Sequence, residues 1–283
     1  MENPFVSAVT PPPNLQKPAL WFIFCGELLM VLVKPQTFSI PFIKNPNDIG
    51  ITCVRSQYLG VLGNQHCFSG ELEKETVVSK GIEFKNLRSL YSVLGDSLFT
   101  VAGRAKQIVE WERTNQFCGC CGMPTVEHHQ ERARVCSKCE VEIFPRLAPA
   151  IIVLISRGQE FLLSRSPHFP PDMYSILAGF VEPGETLEQA VEREVMEEVK
   201  LRVRNIRYLS SQPWPFPHSL MIGFRAEYAG GKIEIHPTEI EDAMWCNINN
   251  LPLLPPNMSI ARRLIDGFIG EVSSNSNTTA NIS

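Results

Sequence analysis

Short apolar runs alternate with Pro, Asn and Gly residues over the N-terminal part of the chain. LWFIF, LLMVLV and YLGVLG are examples, and runs of this length bounded by turn residues are typical of β-strands. The most apolar stretch, 19–33, is interrupted by Gly26 and Glu27 and is shorter than the roughly 20 residues that span a bilayer. It therefore predicts two strands with a turn at 25–27. We assign residues 1–99 to a small β-rich N-terminal domain with a helical end, whose sequence alone identifies no chemistry.

The spacing of apolar residues becomes helical after residue 100. Val101, Ala105 and Ile108 lie at this spacing and predict an amphipathic helix over 100–116 that leads into a cysteine-rich segment. Farther along, APAIIVLIS predicts a buried strand with QEFLLSRS as its hairpin partner, and VRNIRYLSSQ, SLMIGFRAEYA and AMWCNI predict three more strands. No internal repeat is apparent in the sequence.

The composition is that of an ordinary globular protein, with 44% hydrophobic and 20% charged residues. The 283 residues exceed the usual length of one domain, so two or three compact units are expected. A net charge of -4 argues against a broad cationic surface for nonspecific nucleic-acid binding. A polyanionic substrate would therefore need local help, such as a metal ion. The polar run 273–283 predicts a disordered tail.

The use of cysteine points to a reducing compartment. The chain has nine cysteines, and four of them form two C-x2-C pairs, which favours metal ligation over a disulfide framework. Residues 1–16 contain no Lys or Arg, so the basic start of a signal peptide is missing. We therefore predict a cytoplasmic location.

The two pairs, Cys118 with Cys121 and Cys136 with Cys139, have the spacing of a zinc ribbon. Each pair forms a tight turn that directs two thiolates to one point, and two such turns complete a tetrahedral Zn²⁺ site. Gly122 suits the first turn. Four sulfur ligands leave no position for water, so the predicted zinc, one per chain, is structural and stabilises a segment too small to bury a core.

Two other interpretations of this segment remain open. Zinc ribbons often bind nucleic acid, and the residues from Arg132 to Arg134 are mildly basic, although several glutamates surround them. The four cysteines could also be buried free thiols, which their paired spacing disfavours.

An unusual concentration of glutamates lies between Gly179 and Leu201, in GFVEPGETLEQAVEREVMEEVKL. Thr186 followed by Gln189 forms a capping box, which predicts a helix that begins near Leu187. The repeat of 3.6 residues per turn places three of the glutamates on an arc of roughly 100°: Glu194, Glu197 and Glu198.

These like charges should destabilise the helix by some tenths of a kcal/mol per pair. Arg193 can pair with Glu197 and with Glu185, which leaves two of the three carboxylates short of partners. A cluster of hard oxygen ligands is what Mg²⁺ or Mn²⁺ needs. The alternative, a solvated acidic face, does not explain the glycine, turn and helix that surround the glutamates.

The same stretch resembles the Nudix box, Gly-x5-Glu-x7-Arg-Glu-U-x-Glu-Glu-x-Gly-U with U aliphatic. Every fixed position matches except the last glycine, which is replaced by Lys200. The resemblance implies an α/β fold, the Nudix α/β/α sandwich with a mixed sheet over 147–272, and hydrolysis of a nucleoside diphosphate linked to another moiety. Residues 100–146 would then form the linking helix and the zinc ribbon that precede this domain. The glycine of the family would end the helix in a left-handed conformation, which a residue such as Lys200 enters only at a cost of order 1 kcal/mol. We therefore expect a slightly altered helix end and intact chemistry.

A second stretch, SQPWPFPHSLM from Ser211 to Met221, resembles the signature of the NADH pyrophosphatase branch of the Nudix hydrolases. That branch also carries a zinc ribbon before the catalytic domain and a further N-terminal domain. The resemblance implies hydrolysis of the pyrophosphate of NAD(H) to NMN(H) and AMP, or removal of an NAD cap from RNA to leave a 5′-monophosphate. The prolines around Trp214 and Phe216 make a stiff aromatic loop suited to stack on a planar ring, although a proline-rich connector packed into the core would look similar.

The resemblance also implies individual roles. Glu194, Glu198 and Glu239 would hold Mg²⁺ or Mn²⁺ with help from the Ala178 carbonyl. Glu197 would be a further ligand or the base, beside Arg193. The residues implied to bind substrate are Phe144 and Phe180, which would stack on the purine, the loop formed by Gln212, Pro213, Trp214, Pro215, Phe216, Pro217, His218 and Ser219, and the positions Arg88 and Ala261.

The family further implies a homodimer in which Phe144 reaches the site of the neighbouring copy. Two other functions remain open. The chain could be a Nudix hydrolase for ADP-ribose or another nucleoside diphosphate derivative. It could also be a regulator that senses a ligand through its zinc ribbon and Nudix domain without cutting it, an interpretation that Lys200 favours and the intact set of box glutamates disfavours.

Overall fold

The computed structural model describes residues 4–73 and 78–280, with side chains described as far as Ser274. The chain divides into two compact units, Met1–Arg146 and Leu147–Ser283. Within the described residues, no helix is both long enough and apolar enough to cross a membrane.

The first unit is built on an eight-stranded mixed sheet with the order β1-β6-β7-β2-β3-β4, in which β5 also pairs with β2 and β8 with β3. The predicted turn at 25–27 is confirmed, because β2 ends and β3 begins there. The strands are β1 (Phe5–Ser7), β2 (Ala19–Cys25), β3 (Leu28–Lys34), β4 (Thr37–Ser39), β5 (Phe42–Ile43), β6 (Arg55–Leu62), β7 (Gln65–Leu72) and β8 (Ile82–Asn86).

A helix and a small sheet complete the first unit. The helix predicted over 100–116 is confirmed as part of α1 (Tyr91–Thr114), which begins earlier and is interrupted at Gly95. Its buried face includes Val101, Ala105 and Ile108, as their spacing predicts. A three-stranded antiparallel sheet follows, formed by β9 (Thr125–Glu127), β10 (Arg134–Cys136) and β11 (Glu142–Ile143).

The second unit is a six-stranded mixed sheet with the order β15-β16-β12-β13-β17, in which β14 pairs with β12. The strands β12 and β16 run parallel. The elements are β12 (Ala148–Arg157), β13 (Glu160–Arg165), β14 (Leu177–Phe180), α2 (Leu187–Val199), β15 (Arg202–Trp214), β16 (Ser219–Gly230), β17 (Asp242–Asn247) and α3 (Ile260–Ala280).

The two faces of this sheet are covered by different helices. Successive side chains of a strand point to opposite faces, and accordingly Ile151 and Val153 pack with Val191 and Val195 of α2. Their neighbours on β12 pack in a separate core with α3, which contributes Leu264, Ile265 and Phe268. The predicted α/β/α sandwich is thereby confirmed.

The two units share one strand topology. The hairpin β2–β3, the parallel pair β2–β7 and the outer strand β8 correspond to β12–β13, β12–β16 and β17. The first unit has no counterpart of α2, because residues 44–54, all of them described, contain only a 3₁₀ turn (Pro46–Ile49). Ile51 packs there in the core beside Ile23 and Met30. The two units are therefore an internal repeat in strand topology, which the sequence does not show because the side chains differ.

The predicted disordered tail over 273–283 is wrong as far as Ala280, because α3 continues to that residue. The first half of α3 is fixed to the sheet by Leu264, Phe268 and Val272. Once a helix is anchored, each further residue adds a hydrogen bond at little cost, and neither Pro nor Gly follows Gly270. Residues 281–283 lie outside the described part of the chain.

Candidate active site and metal centre

The helix that carries the glutamates begins as its sequence predicts. The N–H of Gln189 donates to Thr186 Oγ1 at 3.2 Å, and the Gln189 side-chain oxygen accepts from the Thr186 N–H at 2.8 Å. This reciprocal capping box starts α2 at Leu187 and is confirmed. It fixes the register with which all later side chains of α2 leave the helix.

The three carboxylates of the predicted arc have different surroundings. The apolar face of α2 is fully buried against the sheet through Val191, Val195 and Val199. Two glutamates next to this face are buried together with it. Glu194 and Glu198 are only 9% and 7% exposed. The Glu197 side chain is 56% exposed. Two carboxylates are thus held in an environment that disfavours charge, and one faces solvent.

Glu194 lies directly against strand β14. A Cβ atom at Gly179 would be 1.8 Å from the Cδ atom of Glu194, so only glycine allows the strand and the carboxyl group to approach this closely. Ala178 is the preceding residue of the same strand, so its backbone also lies at this edge of the carboxylate cluster.

Arg193 connects the parts of the cluster. Its guanidinium donates to both carboxylate oxygens of Glu185, to Glu194 at 2.9 Å and to Glu197 at 3.1 Å. It also donates to the backbone carbonyl of Phe180 at 2.8 Å. The hydrogen bond with Glu185, above all, raises the pKa of Arg193. Arg193, predicted as part of the catalytic group, therefore has the contacts of a residue that positions the glutamates. The pairs with Glu185 and Glu197 expected from the sequence are both present.

Glu198 lacks a partner for one of its oxygens. Its Oε2 atom is buried and makes no hydrogen bond. Burial, and then the nearby carboxylates of Glu194, Glu239 and Glu197, raise the pKa of Glu198 to about 8. Burial also raises the pKa of Glu194. Buried carboxylates without partners are costly, and a divalent cation with oxygen ligands would stabilise them, so these residues fit a Mg²⁺ or Mn²⁺ site.

Glu239 reaches this cluster from a loop that caps α2. The N–H of His236 donates to the Glu198 carbonyl at 2.9 Å, and the N–H of Glu234 donates to the Val199 carbonyl at 3.1 Å. The last carbonyls of a helix need such partners. The loop thereby brings Glu239 close enough to raise the pKa of both buried glutamates. The sequence identified Glu239 only through the family resemblance, since these backbone bonds leave no pattern in side chains.

Lys200 adopts the left-handed conformation itself, with φ 58° and ψ 26°. Its N–H donates to the Met196 carbonyl at 3.2 Å, which is the usual closure of a helix that ends on glycine. The expectation of an altered helix end is therefore wrong. The exposed lysine accepts the strain, and its charge near the C-terminus of the helix is favourable.

Replacing Lys200 by glycine is expected to raise the free energy of unfolding by about 1 kcal/mol, because glycine adopts this conformation without strain. Thermal unfolding measures the gain, and hydrolytic activity should not change. Lys200→Ala is the matched control, since it removes the charge and keeps the strain. Equal melting temperatures for the two variants would contradict the strain.

The proline-rich loop is fixed to α3 through Gln212. The Gln212 side-chain nitrogen donates to the Met258 carbonyl at 2.7 Å, and its oxygen accepts from the Ile260 N–H at 2.7 Å. Its amide thus caps the start of α3, a role that sequence reasoning missed. The rings of Trp214 and Phe216 lie 5.2 Å apart in an edge arrangement. Of the other loop residues, Pro215 and Ser219 are buried, and Pro213, Pro217 and His218 are exposed.

The remaining predicted substrate contacts have different environments. Phe180, next to Gly179, is 59% exposed, and Phe144 in the first unit is 47% exposed, so both rings are available for stacking. Arg88 is exposed on a 3₁₀ turn of the first unit. Ala261 is buried in the core between α3 and the sheet. The methyl group of Ala261 packs into this core, and the substrate contact implied at this position stays a prediction.

The four predicted zinc ligands lie together, with their sulfur atoms all within 4.8 Å of one another. Cys120 is exposed and outside the group. The two turns have the same backbone pattern, because the N–H of Gly122 and the N–H of Glu140 each donate at 2.8 Å to the carbonyl of the first cysteine of their pair. Both residues have positive φ. The tight turn inferred at Gly122 is confirmed, and Glu140 takes the same conformation in the second turn. The four cysteines that could hold a metal ion here are Cys118, Cys121, Cys136 and Cys139.

The thiols of this group have very different acidities without a cation. The backbone N–H groups of Cys120 and Cys121 lower the pKa of Cys118 to about 7. The hydrogen bond with Cys121 and burial raise the pKa of Cys139 to about 12. Four thiolates cannot coexist at this distance unless a cation lies between them. The donor set therefore fits structural Zn²⁺.

The two arginines of the mildly basic stretch make hydrogen bonds within the protein. The guanidinium of Arg132 donates to the carbonyls of Ala8 and Tyr58. Arg134 is buried and donates to Thr125 at both its side chain and its carbonyl. Arg132 is half-buried and Arg134 is buried, and the guanidinium of each is engaged by protein oxygens, so these two arginines give little support to the interpretation of the ribbon as a nucleic-acid reader.

Three family profiles match the chain in succession. They are an NADH pyrophosphatase-like rudimentary NUDIX domain at residues 18–111, an NADH pyrophosphatase zinc ribbon domain at 113–144 and a NUDIX domain at 145–268. The first agrees with the repeated topology that lacks α2.

The chain is also similar to curated proteins. It is 51% identical over 212 residues to the NAD-capped RNA hydrolase NudC of Deinococcus radiodurans. The alignment covers 74% of this chain and 75% of that one. It is 50% identical over 201 residues to the protein of the same name from Pseudomonas syringae pv. tomato, covering 71% and 72%. Among solved structures, it resembles a NUDIX hydrolase from Nitrosomonas europaea with a TM-score of 0.42 at 22% identity, over 48% of this chain and 80% of that one.

Proposed function

The chain belongs to the Nudix hydrolases, in the NADH pyrophosphatase and NAD-capped RNA hydrolase branch, and from this we propose that it hydrolyses the pyrophosphate bond of NAD(H) to NMN(H) and AMP. We propose that it also removes the NAD cap from RNA 5′ ends and leaves a 5′-monophosphate. The observation that carries the proposal is the buried Oε2 atom of Glu198, which has no hydrogen-bond partner and lies beside Glu194 within a Nudix box. Relatives that share about half of the aligned residues are named NAD-capped RNA hydrolases.

The carboxylates of the cluster would hold the catalytic metal. Glu194, Glu198 and Glu239 are the proposed ligands, with the Ala178 carbonyl as a further one. A bound Mg²⁺ or Mn²⁺ would neutralise pyrophosphate charge and acidify a water molecule. Glu197 is the proposed further ligand or base, because its carboxylate is the exposed member of the group and pairs with Arg193.

The aromatic side chains would bind the planar parts of the substrate. Phe180 follows Gly179, which lies against Glu194. A nucleotide whose base stacks on Phe180 would therefore have its phosphates near the carboxylates. Trp214 and Phe216 offer a second aromatic surface in the proline-rich loop. We assign to Gln212 the task of fixing this loop against α3, and Arg88 remains a proposed contact of the first unit.

Assembly and location are further parts of the proposal. A homodimer would allow the exposed Phe144 ring to contribute to the site of the neighbouring copy, and sedimentation velocity would measure the mass of the particle. The cytoplasmic location inferred from the cysteine usage remains a prediction.

The release of NMN from NAD in the presence of Mn²⁺ tests the activity. We expect cleavage of NAD, NADH and NAD-capped RNA, with ADP-ribose cleaved more slowly, and chromatography with mass detection measures the products. A preference for ADP-ribose would favour the broader nucleoside diphosphate hydrolase. Binding of NAD without cleavage of any of the four substrates would favour the sensing regulator, and either result would overturn the proposal.

A further inference from the structure

The loop that carries Glu239 is fastened at its far end by two side chains outside the Nudix box. Arg165 forms an ion pair with Glu241. The hydroxyl of Tyr174 donates to the Asp242 carboxylate at 2.6 Å. Both contacts hold the two residues that directly follow the 231–240 loop, where the chain enters β17.

These two side chains are themselves attached to the rigid sheet. Arg165 is the last residue of β13 and lies opposite Asp242 in the β13–β17 ladder, and its carbonyl accepts from the Glu241 N–H at 2.8 Å. The N–H of Tyr174 donates to the Leu253 carbonyl at 2.9 Å. The next residue, Ser175, exchanges two backbone hydrogen bonds with Ser164 of β13. The far end of the loop is thus tied to the sheet.

The near end of the loop is tied to α2. The N–H of His236 donates to the Glu198 carbonyl, and Ile240 is buried in the core that α2 forms with the sheet. Glu239 therefore lies one residue before Ile240, between two fixed points. Its carboxylate carries the same charge as those of Glu194 and Glu198, and like charges repel. Without attachment at both ends, this repulsion would favour a loop conformation with Glu239 farther away.

We propose that Arg165 and Tyr174 are positioning residues that hold Glu239 beside the carboxylates of α2 and thereby set the affinity for the catalytic divalent cation. This inference rests on the proposed function, in which Glu239 is a metal ligand. Neither residue is assigned a contact with substrate. Their effect is to keep a third carboxylate in place before the metal arrives, so that metal binding does not have to order the loop.

Binding of Mn²⁺ alone to the metal-free protein provides the test, with the signal of free Mn²⁺ followed by electron paramagnetic resonance. We expect Tyr174→Phe and Arg165→Gln each to raise the dissociation constant for Mn²⁺ by about 10-fold, in the range found when residues that orient metal ligands are changed. Arg165→Lys should restore part of the affinity, because it keeps the charge. At saturating Mn²⁺, the turnover of NAD by these variants should approach that of the unaltered protein.

Matched controls separate positioning from general damage to the fold. Tyr208→Phe removes the hydroxyl of an exposed tyrosine on β15, and Arg204→Gln removes the surface ion pair with Glu227. Both should bind Mn²⁺ with unchanged affinity, and the melting temperatures of all the variants should lie close together.

The outcomes distinguish this inference from the proposed function. If Glu239→Gln weakens Mn²⁺ binding while Tyr174→Phe and Arg165→Gln bind normally, the positioning role is overturned and the ligand assignment is retained. If Glu239→Gln itself binds Mn²⁺ normally, the ligand assignment fails, and the positioning role fails with it. If the variants bind Mn²⁺ weakly and their turnover of NAD also stays low at saturating Mn²⁺, this result would count against positioning as well.

Discussion

Replacing Glu198 by glutamine is expected to lower the turnover of NAD by at least about 100-fold. Glutamine keeps the shape of the side chain and removes the charge that would hold the cation. A loss of about 3 kcal/mol of transition-state stabilisation, within the several kcal/mol that a metal supplies, corresponds to about 100-fold in rate. The rate of NMN release at saturating Mn²⁺ measures the effect. Glu192→Gln, on the exposed side of the same helix, should retain activity.

The fold of the Glu198 variant should remain intact, and its stability has a defined pH dependence. Because burial raises the pKa of Glu198 to about 8, the folded protein retains a proton that the unfolded chain loses above a pKa near 4.5. The neutral carboxyl therefore favours folding at low pH, and this advantage is lost as the pH rises through the interval up to about 8. Glutamine is always neutral. In a metal chelator at pH 8.5, the variant should therefore melt no lower than the unaltered protein. A lower melting temperature would mean that lost activity reports on damage to the fold.

The elements that depend on local pattern could be predicted from the sequence. The start of α2 follows from Thr186 and Gln189, which contact each other within one turn. The alternation along β12 places Ile151 and its neighbour Ile152 on opposite faces, as a strand requires. The four cysteines of the ribbon are likewise brought together by two short turns, so their spacing was sufficient to predict that they form one group.

Features that depend on contacts between distant segments could not be predicted in this way. The helical spacing places Glu197 and Glu198 on one arc, but only the packing of α2 decides that one is exposed and the other buried. The basic appearance of Arg132 was misleading, because its partners Ala8 and Tyr58 lie far away in the sequence. The position of Glu239 depends on backbone hydrogen bonds, which the side-chain pattern does not encode.

The contact between Gly179 and Glu194 belongs to this second class and leads to the second large effect. Gly179→Ala is expected to lower turnover by about 100-fold, the cost of misplacing a catalytic group by about 1 Å. The added Cβ atom would be 1.8 Å from Glu194 Cδ and 2.0 Å from Oε1, distances that no pair of nonbonded atoms can keep. The carboxyl group must therefore leave its place against β14. The rate of NMN release and the affinity for Mn²⁺ should fall together.

Gly267→Ala is the matched control, because a Cβ atom there would have no atom within 4 Å. It should leave activity unchanged and should slightly stabilise α3, since alanine favours a helix over glycine by about 1 kcal/mol. A double-mutant cycle then tests whether Gly179→Ala acts through Glu194. If it does, Gly179→Ala combined with Glu194→Ala should be no less active than Glu194→Ala alone, because the truncation removes both the carboxylate and the atoms with which the methyl group would clash. Additive losses would instead show that the methyl group disturbs β14 itself, and the close approach of strand and carboxylate would then not be what the glycine provides.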